Sequence, residues 1–378
     1  MIGQPVYRII YNDILEAINS GSLRTGDRLP SEMELCNTYK TSRITSKRAM
    51  EMLADLGYIV RCPGRGSFVC GNTPSPQASP ANSGRTIGFV VPDFSDPFGK
   101  KLLCSIEENC TNLGYQMVLK RTRDQIGEEE RAIISLSDAA GILILPSHGE
   151  LYNPEILKLI LNKRAVVFVD RKLYGLAAPA VTTNNSEAAE TGAKYLQSLG
   201  HRNIAFYSGP ITHTSTVEDR FRGYLKALTR QKNGYDNSWF CHEISSAWTW
   251  PFHSPERVSA DMETVIAHLK SHPEITAAFI AEYSMALIVK QAAESLGRNI
   301  PGDFSILCFD APDSLTGMPP FTYLCQDEAA IGAGAVEILH RIISGNTKIP
   351  LKDMLIPAKL VPGASTGIRE PEKRRRRI

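Results

Sequence analysis

The sequence predicts a chain in two parts. The first is a small α+β unit, a helix-turn-helix followed by a β-hairpin. The second is an α/β unit of two doubly wound parallel-sheet lobes. Three observations lead there. Between Pro30 and Val69, two short amphipathic helices precede a basic hairpin. Residues 72–84, NTPSPQASPANSG, hold no apolar residue larger than Ala or Pro and cannot pack a core, so they read as a linker. From Arg85 to about Ile368, apolar runs without polar alternation recur between helix-period stretches. That is the pattern of strands covered by helices on both faces. The expected boundaries are 1–71, a linker 72–84, 85–368 and a basic tail 369–378.

In the first part, Ser31 and Glu34 form a Ser-x-x-Glu capping box, so a helix starts there. Leu35 and Tyr39 share its apolar face, and it should end near Lys40. Thr41 or Ser42 can cap a second helix that turns Ala49, Met50, Leu53 and Leu56 inward, with Gly57 placed to stop it. Arg43, Thr45, Lys47 and Arg48 cluster at its start. Two β-like runs, 58–61 and 67–69, flank a Pro63-Gly64-Arg65-Gly66 turn with Arg65 at its tip. Cations and hydroxyls at the start of a second helix suit the major groove of DNA, and an arginine-tipped hairpin suits the neighbouring backbone or minor groove.

In the second part, strands are expected at 87–91, 115–119, 141–145, 166–169, 204–207, 239–244, 277–281 and 305–309. Helices are expected at 98–113, 128–136, 154–161, 187–199, 217–229, 260–269, 284–296 and 329–343. Ligands of such sheets bind beyond the carboxyl ends of the strands, here in a cleft between lobes.

Composition narrows the function. The chain of 378 residues carries 42 Lys and Arg against 40 Asp and Glu, a formal charge of +2, so nucleic-acid affinity must come from a local patch. Residues 1–71 hold nine cationic side chains against seven anionic ones. Eight cysteines include no Cys-x-x-Cys pair; Cys36, Cys104, Cys308 and Cys325 sit in apolar runs and read as reduced core residues. No signal-peptide pattern opens the chain and no apolar run has membrane-spanning length, so a soluble cytoplasmic protein is expected. Gly-x-Ser-x-Gly, His-Glu-x-x-His and Walker-type motifs are missing, which argues against an enzyme and against a bound cofactor. His268 and His272 stand four apart but without further ligands, so a solvated helix end is expected rather than a metal site.

Residues 4–71 resemble the GntR-family winged helix-turn-helix. The matching words are Pro5-x-Tyr7, Gly21-x-Leu23-x-x-Gly26-Asp27-x-Leu29-Pro30-Ser31-Glu32, Ser42-Arg43-x-Thr45, Leu53-x-x-x-Gly57 and Gly64-x-Gly66-x-Phe68-Val69. The resemblance implies DNA contacts by Ser42, Arg43, Thr45, Arg65 and Gly66. Ser31, Glu32, Lys47 and Arg48 complete the candidate set. Met33 stands where that family usually has Arg, and Lys47 replaces a second Arg. Residues 86–366 resemble the LacI-family effector domain, itself of the periplasmic-binding-protein type I fold. The words are Ile87-Gly88 with Asp96-Pro97-Phe98, Val169-Asp170-Arg171, Val181-x-x-Asn184-Asn185, Gly200-His201-x-x-Ile204, Arg220-x-x-Gly223-Tyr224, Phe309-Asp310 and Gln326-Asp327. A GntR-type reader on a LacI-type sensor is the arrangement of the arabinose-repressor group.

That resemblance implies a homodimeric repressor of sugar-use genes, with operator DNA and a small sugar as partners and no membrane. Sugar hydroxyls are fixed by carboxylates, Arg and Gln, and ring C–H faces stack on aromatics. Arg220, Asp310 and Gln326 are the leading candidates, then Asp170 with Arg171, and Asp96. Loop capping is the structural alternative for each. Phe98, Tyr174, Trp248 and Trp250 are candidate stacking faces, although most aromatics are core. Glu282-Tyr283 replaces the family's usual Asn-Asp pair, which implies a different sugar, a remodelled pocket or a lost site. Two rival expectations are a catalytic fusion and a DNA-binding protein with a silent sensor.

Overall fold

A computed structural model describes residues 5–24, 26–55, 58–62, 66–69, 85–93, 98–149, 153–212, 214–229, 234–247, 250–312, 317–346 and 352–369. The linker 72–84, Leu56, Gly57, Arg65, Asp96, Trp248 and the tail from residue 370 onward lie outside them. The chain divides into two compact units, Met1–Asn82 and Ser83–Ile378.

The first unit packs α1 (Val6–Asn19), α2 (Glu32–Tyr39) and α3 (Arg43–Asp55) around one core. The helix α1 was not placed from sequence. Its Ile10, Ile14 and Ile18 repeat at four-residue spacing and are all buried. In α2 the Ser31 hydroxyl accepts from the Glu34 backbone N–H and the Glu34 carboxylate accepts from the Ser31 N–H, the expected capping box. Lys40 ends α2 in the left-handed region at φ 48°, and Ser42 caps α3 through the Thr45 N–H. Ala49, Met50 and Leu53 point into the core as expected. The hairpin β1 (Ile59–Cys62) and β2 (Gly66–Val69) is antiparallel, and Leu29 donates to the Ser67 carbonyl to extend it.

In the second unit, one six-stranded sheet runs β13 (Met354–Ile356), β7 (Ala180–Thr183), β6 (Val166–Val169), β5 (Gly141–Ile144), β3 (Thr86–Val91), β4 (Gln116–Arg121). The other runs β14 (Lys359–Val361), β12 (Thr322–Cys325), β11 (Ser305–Phe309), β10 (Ala277–Ile280), β8 (Ile204–Tyr207), β9 (Phe240–Cys241). All pairings are parallel except β12 with β14. Helices α4 (Lys100–Asn112), α5 (Ile126–Ser135), α6 (Pro154–Leu161) and α11 (Glu328–Ile343) serve the first lobe. Helices α7 (Asn185–Ser198), α8 (Ser215–Leu228), α9 (Pro255–Ser271) and α10 (Tyr283–Ser295) serve the second.

The backbone passes from the first lobe to the second after β7, returns after β12 into α11, and crosses a third time between β13 and β14. Glu328 ties the returning helix to α4: its Oε2 accepts the Gly99 and Leu102 N–H groups at 2.7 and 3.2 Å. These are free donors of the first turn of α4.

Four expectations are corrected. The strand expected at 239–244 shrinks to Phe240–Cys241 behind a 3-10 turn, because β9 is an edge strand paired only with β8. The helix expected at 260–269 runs Pro255–Ser271, with Pro255 in its first turn. Cys104 is exposed rather than core, and Cys36 and Cys325 are only partly buried. His268 is no solvated helix end: its ring nitrogens bond the Tyr207 hydroxyl and the Ser238 carbonyl, both at 2.9 Å.

Candidate functional site

Two aspartates define the cleft between the lobes. Asp170 follows β6 and Asp310 follows β11, each the third strand from one edge of its sheet. Both adopt left-handed backbone, at φ 62° and 59°. Each donates its N–H to the neighbouring strand, Asp170 to the Val181 carbonyl and Asp310 to that of Leu324. A non-glycine residue in this region carries about 1–2 kcal/mol of strain, tolerated best by Asp and Asn. The strain turns each carboxylate out of its strand toward the same cavity.

Arg220, from the first half of α8, lies between them and is 4 % exposed. Its Nε donates to Asn185 Oδ1 and its Nη1 to the Ala281 carbonyl, both at 2.7 Å. The guanidinium carbon sits 3.8 Å from the centre of the Phe309 ring. Burial lowers the Arg220 pKa, and the fields of Asp310, Asp170 and Glu282 oppose that. Gln326 donates Nε2–H to Asp310 Oδ2 at 2.7 Å while its Oε1 accepts the Thr183 hydroxyl at 2.6 Å. Gln326 and Thr183 stand at two of the three crossings between lobes, so this residue joins the cavity wall to the hinge.

Burial raises the Asp170 pKa against the pull of Arg171 and Arg220, and Asp170 Oδ1 has no hydrogen-bond partner. Arg171 donates Nη1 to the Pro146 carbonyl at 3.0 Å, and its Nε, 4.0 Å from Asp170 Oδ2, makes no hydrogen bond. A buried acceptor and a buried donor left over at one cavity wall are the groups a hydroxyl-rich ligand satisfies.

The cavity measures about 100 Å³. Of the residues expected in it, Phe98, Asp170, Arg171, Arg220, Glu282, Tyr283, Asp310 and Gln326 line it. Tyr174 and Trp250 are not among the lining residues. Tyr174 is tied to Asp219 and lies under Lys172, and Trp250 lies under Arg123. Asp96 and Trp248 are outside the described residues. Sequence reasoning missed Asp93, His148, Thr216 and Phe252, which also line the cavity. His148 is held by Asp124, whose side chain accepts from both the His148 backbone and its ring. Only Phe252 carried a signal, as part of the Trp248–Phe252 aromatic cluster.

In the first unit, Arg43, Lys47 and Arg48 project from α3 into solvent, and Ser46 beside them is buried. Arg43 Nε reaches Glu32 at 3.4 Å, Lys47 pairs with Glu51 at 3.6 Å, and Arg48 lies over the Tyr7 ring at 4.4 Å. Ser31 and Ser42 are spent on capping, and Thr45 shares its hydroxyl with Ser42 at 2.8 Å. Gly66 has φ +112°, and an added Cβ would lie 3.0 Å from Arg28 Nε, so glycine is required there by the hairpin itself. Among the described residues, no helix is long and apolar enough to cross a membrane, and no group of three or more His, Cys, Asp or Glu could hold a metal ion.

Residues 6–69 match the model of bacterial regulatory proteins, gntR family, and residues 193–366 that of a periplasmic binding protein-like domain. The arabinose metabolism transcriptional repressor of Geobacillus stearothermophilus is 23% identical over 372 residues, which is 96% of this chain and 98% of that protein. Catabolite control protein A of Priestia megaterium is 26% identical over 307 residues, 80% of this chain and 85% of its own length. Among solved structures, the transcriptional regulator CelR–cellobiose complex superposes with a TM-score of 0.65 at 21% identity, covering 86% of this chain and 92% of that one. The protein is therefore a DNA-binding transcriptional regulator in which a GntR-family helix-turn-helix is joined to a periplasmic-binding-protein-like domain.

Proposed function

We propose that this regulator is a cytoplasmic repressor of carbohydrate-use genes, acting as a homodimer on a two-half-site operator and controlled by a small neutral sugar in the cleft. The observation that carries the sugar is the Arg220 guanidinium stacked on Phe309 between the two left-handed aspartates, with Gln326 bonded to one of them. Asp93, Asp170, Glu282 and Asp310 line the cavity with the guanidiniums of Arg171 and Arg220, but Asp93 pairs with Arg121 at 2.6 Å and burial favours protonated Asp310, so neither sign of charge is in large excess. That balance disfavours a phosphorylated or acidic sugar and suits neutral hydroxyls. The relative from Geobacillus stearothermophilus, an arabinose-metabolism repressor, supports the same class. The sugar acts by binding one lobe angle more tightly than another, which alone can shift the equilibrium of the DNA-bound state. A mobility-shift titration with neutral pentoses and hexoses tests this. One of them changes DNA affinity at least tenfold; no response to any of them removes the sugar from the reading.

On the DNA side, Arg43, Lys47 and Arg48 meet phosphates at the N-terminal turns of α3, where the helix dipole adds to their charge. Replacing Arg43 or Lys47 with Ala should lower the slope of log affinity against log salt by about one each. Folding stability should stay within about 0.5 kcal/mol, because their partners are exposed ion pairs. Salt-dependent anisotropy titrations on one operator fragment read the slope, and an unchanged slope removes that residue from the interface.

The Asp310 carboxyl is pushed up to about 7, chiefly by burial, with Arg220 and Gln326 acting against the shift. In the unfolded chain an aspartate ionises near pH 4 (about 3.9). Between those values the folded state holds the extra proton, so the Asp310 contribution to stability falls as pH rises from about 4 to about 7. Asp310→Asn should flatten that fall and raise the melting temperature at neutral pH, while weakening sugar binding at least tenfold. Melting curves at several pH values beside a binding titration separate the two effects.

A further inference from the structure

The two most exposed large apolar side chains described in the first unit are Met33, 66 % exposed, and Ile44, 80 % exposed. They are the second residues of α2 and α3. The first residues of the same helices, Glu32 and Arg43, reach each other at 3.4 Å, so the two apolar side chains stand at adjacent helix starts. Around them the other candidate readers are engaged. Ser42 and Thr45 bond each other and the start of α3, Ser31 is locked in the capping box, and Ser46 points inward with no exposure. Ile44 is three and four residues from Lys47 and Arg48, so cations flank it on the same stretch of helix.

We propose that Ile44 and Met33 read the 5-methyl groups of thymines in the operator's major groove. The proposal rests on the first unit being the DNA reader. Isoleucine and methionine have no hydrogen-bond donor to offer a base edge, and neither has an affinity for phosphate. The one apolar group that an unmodified base presents in the major groove is the thymine methyl. The flanking Arg43, Lys47 and Arg48 carry the phosphate charge and press this face onto the groove, which excludes water around the two side chains. A thymine at each position is then preferred over cytosine by contact alone, without a bidentate hydrogen bond. Covering one methyl contributes about fourfold in affinity.

The test uses the full chain. Binding sites are first selected from random duplexes. Each thymine of the selected site is then replaced singly by deoxyuridine, which keeps the base pair and removes only the methyl. Dissociation constants are measured for the wild type, Ile44→Ala and Met33→Ala. Two thymines per half-site should each weaken wild-type binding about fourfold when demethylated. One of those penalties should vanish in Ile44→Ala and the other in Met33→Ala, with all three proteins melting together because both side chains are exposed. Uracil tolerated at every position by the wild type overturns the proposal. So do penalties that persist unchanged in both variants, which would make this apolar pair a surface for a protein instead. If selection recovers no site at all, the DNA-reading assignment of the unit falls, a failure distinct from a site that is recovered but indifferent to its methyls.

Discussion

Arg220→Met is expected to abolish the response to sugar and to lower the stability of the sensor unit by about 3–5 kcal/mol. The side chain is buried with both of its bonded acceptors, Asn185 Oδ1 and the Ala281 carbonyl. Methionine leaves those acceptors unpaired, and it removes the positive charge on which buried Asp170 and Asp310 depend. Breaking a buried charge network by deleting one member costs about 3–5 kcal/mol, whereas the lost packing is small because methionine still covers Phe309. Sugar affinity should fall at least a hundredfold. Arg220→Lys separates folding from recognition. It restores the charge and part of the stability but not the planar two-donor fork, so binding should stay weak while the melting curve recovers. Denaturant melts and titration calorimetry on both variants check this. A methionine variant with a normal midpoint and a normal sugar response would take Arg220 out of the site.

The second large effect is expected at Gly223. A Cβ there would lie 2.0 Å from the Ser186 carbonyl oxygen and 2.7 Å from its carbon. Both are backbone atoms of α7, so the clash cannot be relieved by a rotamer change. Alanine would improve the helix propensity of α8 by about 1 kcal/mol. Forcing the helices apart costs about 3 kcal/mol, so the net expectation is a loss of about 2 kcal/mol. The damage reaches the site, because Arg220 lies one turn earlier on α8 and bonds Asn185, the neighbour of Ser186. Gly223→Ala should therefore weaken sugar binding as well, by tenfold or more. Gly127→Ala is the matched control. It lies in the first turn of α5, and nothing stands within 4 Å of an added Cβ. That variant should melt at or slightly above the wild-type temperature in the same scan.

The sequence made some of this plain and left the rest hidden for identifiable reasons. The capping box at Ser31, the inward set Ala49, Met50 and Leu53, and the solidly apolar strands are local patterns, and local patterns survive in a one-dimensional reading. Asp170 and Asp310 were visible because each ends an apolar run. Asp93, His148 and Thr216 were not, because the cleft gathers them from two loops and a helix start with no spacing to link them. The strands β13 and β14 are three residues each, too short to show a period. His268 looked solvated because its partners, Tyr207 and Ser238, lie 61 and 30 residues away in sequence. Tyr174 and Trp250 show the reverse error: aromatic, loop-borne and near the expected strand ends, yet each is occupied with a cation away from the cavity lining.

The triple crossing of the backbone between lobes fixes the order in which the chain can mature on the ribosome. The first lobe is begun at Thr86, but its interior is filled by Ile331, Ala335, Val336 and Leu339 of a helix made some 240 residues later. Until that helix emerges, Leu102, Ile106 and Cys110 of α4 are, among the described residues, the only buried helix residues on that face of β3, β5 and β6. The DNA-reading unit has its whole core by Val69 and can fold at once. A nascent chain stalled anywhere between those points would carry a finished reader on an unfinished sensor, able to occupy an operator and deaf to the sugar.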